Sequence, residues 1–219
     1  WDQPPNANKA ALANTCPAAS SICRDHSTFN PQSKPRQRAG VGGLRRCAEK
    51  MSATLQRDQA STLAKSNPKQ ALSKAKTVSE PWFRAQALAW VARFTDADPV
   101  AIAKLAAKAA SDCDDDYKRS AVRAWEVAAL AERNESTHAE RSLKTAVAVA
   151  EGVQPISSRS EALFLLFQAA FAIGRKQAEW VCGRLDATCP EEEHWRCKRS
   201  RRDAHQILDG GSQPRPFFW

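Results

Sequence analysis

A constant gap of twelve residues separates a small or apolar side chain on one helical stripe from its counterpart on the next, four times along this chain. The pairs are Ala75 and Ala87, Ala109 and Ala121, Ala150 and Ala162, and Leu185 and Cys197. Each upstream member closes an apolar stripe at i, i+3, i+4 and i+7, the pattern of one buried helix face. The stripes are Pro68–Ala71–Leu72–Ala75, Ile102–Leu105–Ala106–Ala109, Leu143–Ala146–Val147–Ala150 and Ala178–Val181–Cys182–Leu185. Each downstream member opens a second stripe: Ala87–Val91–Phe94, Ala121–Trp125–Ala128, Ala162–Leu166–Ala169 and Cys197–Arg201–Ala204. Small residues set opposite one another let two antiparallel helices approach closely, with the bulkier neighbours filling the space beside them. A hairpin built this way cannot bury its whole apolar face alone, so it stacks on the next. The expected fold is all-α, a right-handed α-solenoid of about four antiparallel helical hairpins.

Successive copies are offset by 34, 41 and 35 residues. The extra seven residues of the third copy fall between Ala121 and Leu143, and Glu132–Arg133–Asn134–Glu135–Ser136 is the expected loop. Helix starts are marked by Asn67–Pro68 and Asp98–Pro99, where a capping side chain precedes a proline at the first helical position. Thr137 with Glu140, Ser158 with Glu161 and Thr188 with Glu191 have capping-box spacing. The fourth second-helix keeps only the narrow stripe Cys197–Ser200–Ala204–Ile207, which suits the polar end of a stack. The stretch from Ala162 to Ile173 is apolar nearly all round and is expected inside it.

A period near 34, with a small residue late in the first helix and an alanine followed four residues on by an aromatic in the second, resembles tetratricopeptide-type repeats. Ala121–Trp125 fits that pattern, and Pro99 stands where an inter-repeat proline would follow Phe94. The resemblance spans about residues 66–208. Ala71, Lys74 and Val78 in the first copy, and Leu105, Lys108 and Asp112 in the second, replace the family's Trp, Leu and Tyr, which keeps a HEAT-like array as the alternative. What the resemblance implies is protein or peptide binding on the concave face; a non-catalytic scaffold without a cofactor is the expected role.

Residues 1–50 carry none of this periodicity. Pro4–Pro5, Pro17, Pro31, Pro35 and Gly40–Val41–Gly42–Gly43 punctuate them, the composition of a disordered or loosely ordered segment. Met51 is the only methionine, and the ordered pattern begins just after it. It is therefore a candidate biological start, with 1–50 over-extended or non-native; a genuine flexible tail is the alternative. The helical-repeat domain is expected over 51–209 and a C-terminal tail over 210–219.

The net charge of +9 is local. Eight Lys and Arg face three Asp and Glu in residues 1–50, and five more cations crowd Arg196, Lys198, Arg199, Arg201 and Arg202. That second cluster, with Arg199 and Arg202 as its probes, is the competing binding hypothesis, for nucleic acid or an anionic surface. It has no groove-reading motif, so specific nucleic-acid recognition is not expected. No signal-like apolar stretch opens the chain, and the run from Ala162 to Ile173 is shorter than the roughly 20 apolar residues a membrane span needs. The expectation is a reduced, cytoplasmic protein with no membrane span, able to self-associate through an exposed end of the stack.

Three further patterns bear on chemistry. Arg84, Lys118, Arg159 and His194 each lie three residues before a second-helix small position. In a stack they would align as a ladder toward an acidic ligand, or pair with nearby acids as Glu80 and Arg84 could. Cys182, Cys189, His194 and Cys197 offer three thiolates and an imidazole, a zinc-competent set, with His205 nearby. Their spacing matches no compact finger, and the repeat already assigns Cys182 and Cys197 to packing. Asp112, Asp114, Asp115 and Asp116 lack the glycine and glutamate of a calcium loop, and capping a helix start accounts for them. Neither His26 nor His138 sits in a nucleophile motif, so no catalytic residue is expected.

Overall fold

The computed structural model describes residues 51–189 and 194–211. Among them are ten helices and no strand: α1 (Ala53–Ala64), α2 (Pro68–Lys76), α3 (Pro81–Phe94), α4 (Pro99–Ser111), α5 (Asp116–Ala121), α6 (Arg123–Glu132), α7 (Ser136–Ala150), α8 (Ile156–Ile173), α9 (Arg175–Thr188) and α10 (Trp195–Leu208). The expectations for residues 1–50 and for the tail beyond Gly211 lie outside the described residues, as does Glu191 of the third capping box.

The class is all-α, as the stripes require. The eight residues of the four twelve-residue pairs are all buried. Helix α1 lies in the segment between Met51 and the first stripe and packs against both α2 and α3. Its Ala60 and Ala64 are buried, but its apolar residues are too few to give a persistent stripe. Helices α5 and α6 follow one another directly across a break at Val122. The second helices pack side by side in chain order, α1 on α3, α3 on α6, α6 on α8 and α8 on α10. The first helices α2, α4, α7 and α9 each meet the second helices on either side, and make no comparable contact with one another.

Two caps are as the sequence reads them. The Asn67 side chain accepts from the Gln70 amide, and the Asp98 side chain accepts from the Ala101 amide. The three capping boxes are not formed as expected. Helix α7 begins at Ser136 after Glu135, and α8 begins at Ile156 after Pro155, so Thr137 and Ser158 already lie inside the first turn. Thr188 is the last residue of α9 and donates its hydroxyl to the Arg184 carbonyl. A hydroxyl inside a helix is satisfied by the preceding turn as readily as by a free amide.

The seven-residue insertion is not a loop. Helix α3 ends seven residues after Ala87, whereas α6 ends eleven after Ala121; α4 begins ten residues before Ala109, whereas α7 begins fourteen before Ala150. The insertion thus adds about one turn to each of two successive helices. The connection between them is only Arg133–Asn134–Glu135, closed by Asn134 at φ 61°, a left-handed conformation that asparagine tolerates. Leu105 also departs from its stripe and is 37% exposed. The buried face of α4 is centred one position away, on Ile102, Ala103, Ala106, Ala109 and Ala110.

The core forms two clusters, one over α1–α4 with parts of α6 and α7, the other over α5–α10. Trp82, Trp125 and Ile173 pack against both. Helix α8 supplies the centre of the second with Ala162, Leu163, Leu166, Phe167, Ala169 and Ala170. Including its serine-rich first turn it reaches 18 residues, long and apolar enough to cross a bilayer by length and composition, which corrects the shorter run counted from Ala162. Its apolar sides are covered by α5, α6, α7, α9 and α10 of the same chain.

Candidate functional site

Each second helix begins after a turn that buries one apolar residue: Val78, Cys113, Val153 and Cys189. Arginines from the following helix reach back to three of those turns. Arg119 Nε donates to the Cys113 carbonyl at 2.9 Å, Arg159 Nε to the Val153 carbonyl at 3.0 Å, and Arg201 Nη1 to the Cys189 carbonyl at 3.0 Å. These bonds satisfy carbonyls of the turns that follow α4, α7 and α9, beyond or at the edge of the helical hydrogen-bond ladder.

That role takes one member of the basic ladder. Arg159 is one of the capping residues just described. Arg84 pairs with Asp112 at 3.3 Å, at the end of α4, rather than with Glu80. Lys118 pairs with Asp114 at 2.8 Å and Asp115 at 3.6 Å. This contact, with the hydrogen bonds it makes, holds the Asp114 carboxyl below the usual range and the Lys118 ammonium above its own. Asp115 caps α5 through the Lys118 amide. His194 starts α10, its Nδ1 accepting from the Arg196 amide. Each of the four groups thus has a partner within the chain, Arg84 at the end of the following helix α4 and the other three close to their own helix starts.

The basic helix α10 is engaged in the same way. Arg196 and Arg199 each reach Glu161 of α8 at 3.4 Å, Arg201 reaches Asp186 at 3.2 Å, and Arg202 pairs with Asp203 at 2.7 Å. Lys198 has no acidic partner among the described residues. Sequence spacing hid one feature: Arg196 and Arg199 lie over the ring of Trp195, at 5.4 and 5.0 Å, and that indole is 58% exposed.

The zinc-competent set Cys182, Cys189, His194 and Cys197 does not come together as one cluster among the described residues. Cys182, Cys189 and Cys197 are buried, and the His194 Nδ1 accepts its capping bond. Among the described residues, Cys182 joins a cluster with metal-ligating geometry, and its partners are Asp186 and His205. Cys182 Sγ lies 3.9 Å from Asp186 Oδ2 and 3.9 Å from His205 Nε2, while both Asp186 oxygens lie 3.0 Å from the same Nε2. A nucleophile relay places thiol and carboxylate on opposite ring nitrogens; here both approach one. Burial, with the Asp186 carboxylate adding to it, pushes the Cys182 thiol up to about 11, which leaves little of the thiolate that attack requires.

A third feature lies at the other end. Helices α1, α3 and α6 enclose a cleft of about 420 Å³ lined by Arg57, Asp58, Ser61, Lys65, Trp90 and Trp125. Lys65 Nζ sits over Trp90 at 5.5 Å and over Phe94 at 5.9 Å, and Arg93 approaches the same two rings at 5.6 and 5.3 Å. Arg57 spans the floor, pairing with Asp58 at 2.6 Å and donating to Gln86 Oε1 at 2.9 Å. The sequence carried one trace of this site, the Trp90–Phe94 pair one turn apart. Trp125 of α6 was visible too, in the Ala121–Trp125 spacing, whereas the wall from α1 is one the periodicity does not reveal.

These residues define an all-α protein with an aromatic, cation-rimmed cleft near one end and a mixed Cys–Asp–His cluster near the other. No protein-family model matches the chain, and neither the curated proteins nor the solved structures hold a match to it.

Proposed function

We propose that α2–α10 form a right-handed solenoid of tetratricopeptide-like hairpins, preceded by α1, and that it is a non-catalytic scaffold holding a protein or peptide partner. Support for the stacking comes from the neighbour-only packing of second helices on second helices, the contact pattern of a quasi-one-dimensional array. The more closely packed row lies on the inside of any curve such an array takes, so the second helices line the concave side.

The observation that carries the binding role is the cleft between α1, α3 and α6. Two indoles wall it and Lys65 stands at its rim. Tryptophan is among the side chains that most often dominate binding at protein surfaces. The occupant that complements them is a peptide segment with an apolar or aromatic anchor for the cleft and carboxylates for the cationic rim. A preformed cleft binds such a segment at lower ordering cost than a flexible surface.

Selection of a displayed random-peptide library on the full chain tests this. Enriched peptides are expected to share an apolar anchor flanked by acids, and Trp90→Ala is expected to weaken a selected peptide by about 30-fold or more, the effect of a central anchor. Lys65→Glu should reverse the preference for acidic flanks. No enrichment, or binding indifferent to both substitutions, overturns the proposal.

A further inference from the structure

We propose that Cys182, Asp186 and His205 form a zinc site that clips α9 to α10, with a fourth coordination position open to solvent. Cys182 and Asp186 stand one turn apart on α9, so their donors fall on one face. His205 comes from the last turn of α10.

The donors are a thiol, a carboxylate and an imidazole, the three types that tetrahedral zinc takes from proteins. With ordinary zinc–ligand bond lengths, tetrahedral edges are about 3.3 Å between nitrogen and oxygen and about 3.6 Å between sulfur and either. The observed separations are 3.0 Å and 3.9 Å. Shifts of a few tenths of an ångström bring all three donors onto one ion, with no change of backbone.

The surroundings favour this assignment. Arg201 Nε holds Asp186 Oδ1 at 3.2 Å, leaving Oδ2, the oxygen nearer Cys182, to face the ion. Carboxylate ligands are commonly fixed in this way by an outer hydrogen bond. Cys182 is buried, Asp186 half-buried and His205 exposed, so the cluster opens outward on the His205 side. Three protein ligands with an open position leave room for a water or for a donor from a partner. Cys189 and Cys197, though zinc-competent by residue type, take no part.

The test uses the full chain without a histidine tag, stripped of metal and titrated with cobalt(II) as a spectroscopic stand-in for zinc. The expected result is one equivalent bound, with tetrahedral ligand-field bands and a thiolate-to-cobalt charge-transfer band that zinc displaces. Cys182→Ser should remove the charge-transfer band, and Cys189→Ser and Cys197→Ser should leave it unchanged. Because Cys182 is buried and its variant could lose the fold, His205→Ala at the exposed position provides the second arm. It should keep the helical circular-dichroism spectrum and lose both the stoichiometric band and the rise in Tm that zinc gives the unsubstituted protein. Absence of a tetrahedral cobalt spectrum at one equivalent, or a spectrum that survives His205→Ala, overturns the site. Neither result bears on peptide binding at the α1–α3–α6 cleft.

Discussion

The rings of Trp82 and Trp125 meet edge to face with centroids 6.0 Å apart, and both indoles pack against the two core clusters at once. Tyr117 stacks on Trp82 at 6.3 Å. Trp82→Ala removes an aromatic bridge between the halves. Since the indole is half-buried, the expected cost is about 2 kcal/mol, below the range for a fully buried tryptophan. Denaturation followed by circular dichroism should broaden or split into two steps. A single sharp transition at an unchanged midpoint would show that the clusters do not depend on this contact.

Glu126 is 3% exposed, and its carboxylate is held by Arg123 at 3.1 and 3.2 Å and by the Ser142 hydroxyl of α7. Arg123→Ala leaves a buried carboxylate without its counter-charge, which costs about 3–5 kcal/mol. The double variant Arg123→Ala with Glu126→Ala should recover part of that loss. Urea midpoints of the single and double variants check it, and equal losses for both would refute it.

Burial, aided by the Asp114 carboxylate, pushes the Cys113 thiol up to about 11 from its ordinary 9.0. Below pH 9 both folded and unfolded chains keep this proton, so it has no effect on stability there. Between pH 9 and about 11 the unfolded chain releases the proton and the folded chain retains it, so this thiol lowers stability as pH rises. Cys113→Val, which places in this turn the residue type found at Val78 and Val153, should fold and show a shallower alkaline decline. Urea midpoints measured across that range would show parallel declines if the thiol plays no part.

Arg159 joins its own hairpin turn through the Val153 carbonyl. Arg159→Ala should cost about 1 kcal/mol, the net worth of one such bond, and Arg159→Lys should not restore it, because an ammonium cannot reproduce the directed guanidinium fork. If Arg159 instead faced an acidic ligand, either change would weaken binding of a selected peptide and leave the melting temperature unchanged.

Most of the helix layout was legible because burial in this chain follows short-range period. Ala75, Ala87, Ala150 and Ala162 are all fully buried, and their spacing alone places them. Helix boundaries were less legible where several hydroxyls compete for one start, as at Ser136, Thr137 and Ser158. The insertion misled because a loop and two lengthened helices produce the same offset. The Cys182–Asp186–His205 cluster depends on how α9 crosses α10, which no linear spacing encodes; Cys182 and Asp186 one turn apart were its only trace. The aromatic cleft needed α1, whose stripe is too thin to stand out.

Because second helices lean only on their chain neighbours, the two ends are not equivalent to the middle. Releasing α10 uncovers one flank of α8, whereas displacing α8 separates α6 and α7 from α9 and α10 together. Amide exchange would then grade along the chain, fastest in α1 and α10 and slowest around Leu166 and Phe167. A clip between α9 and α10 would act where fraying begins, so its occupancy would set how long the terminal hairpin stays closed.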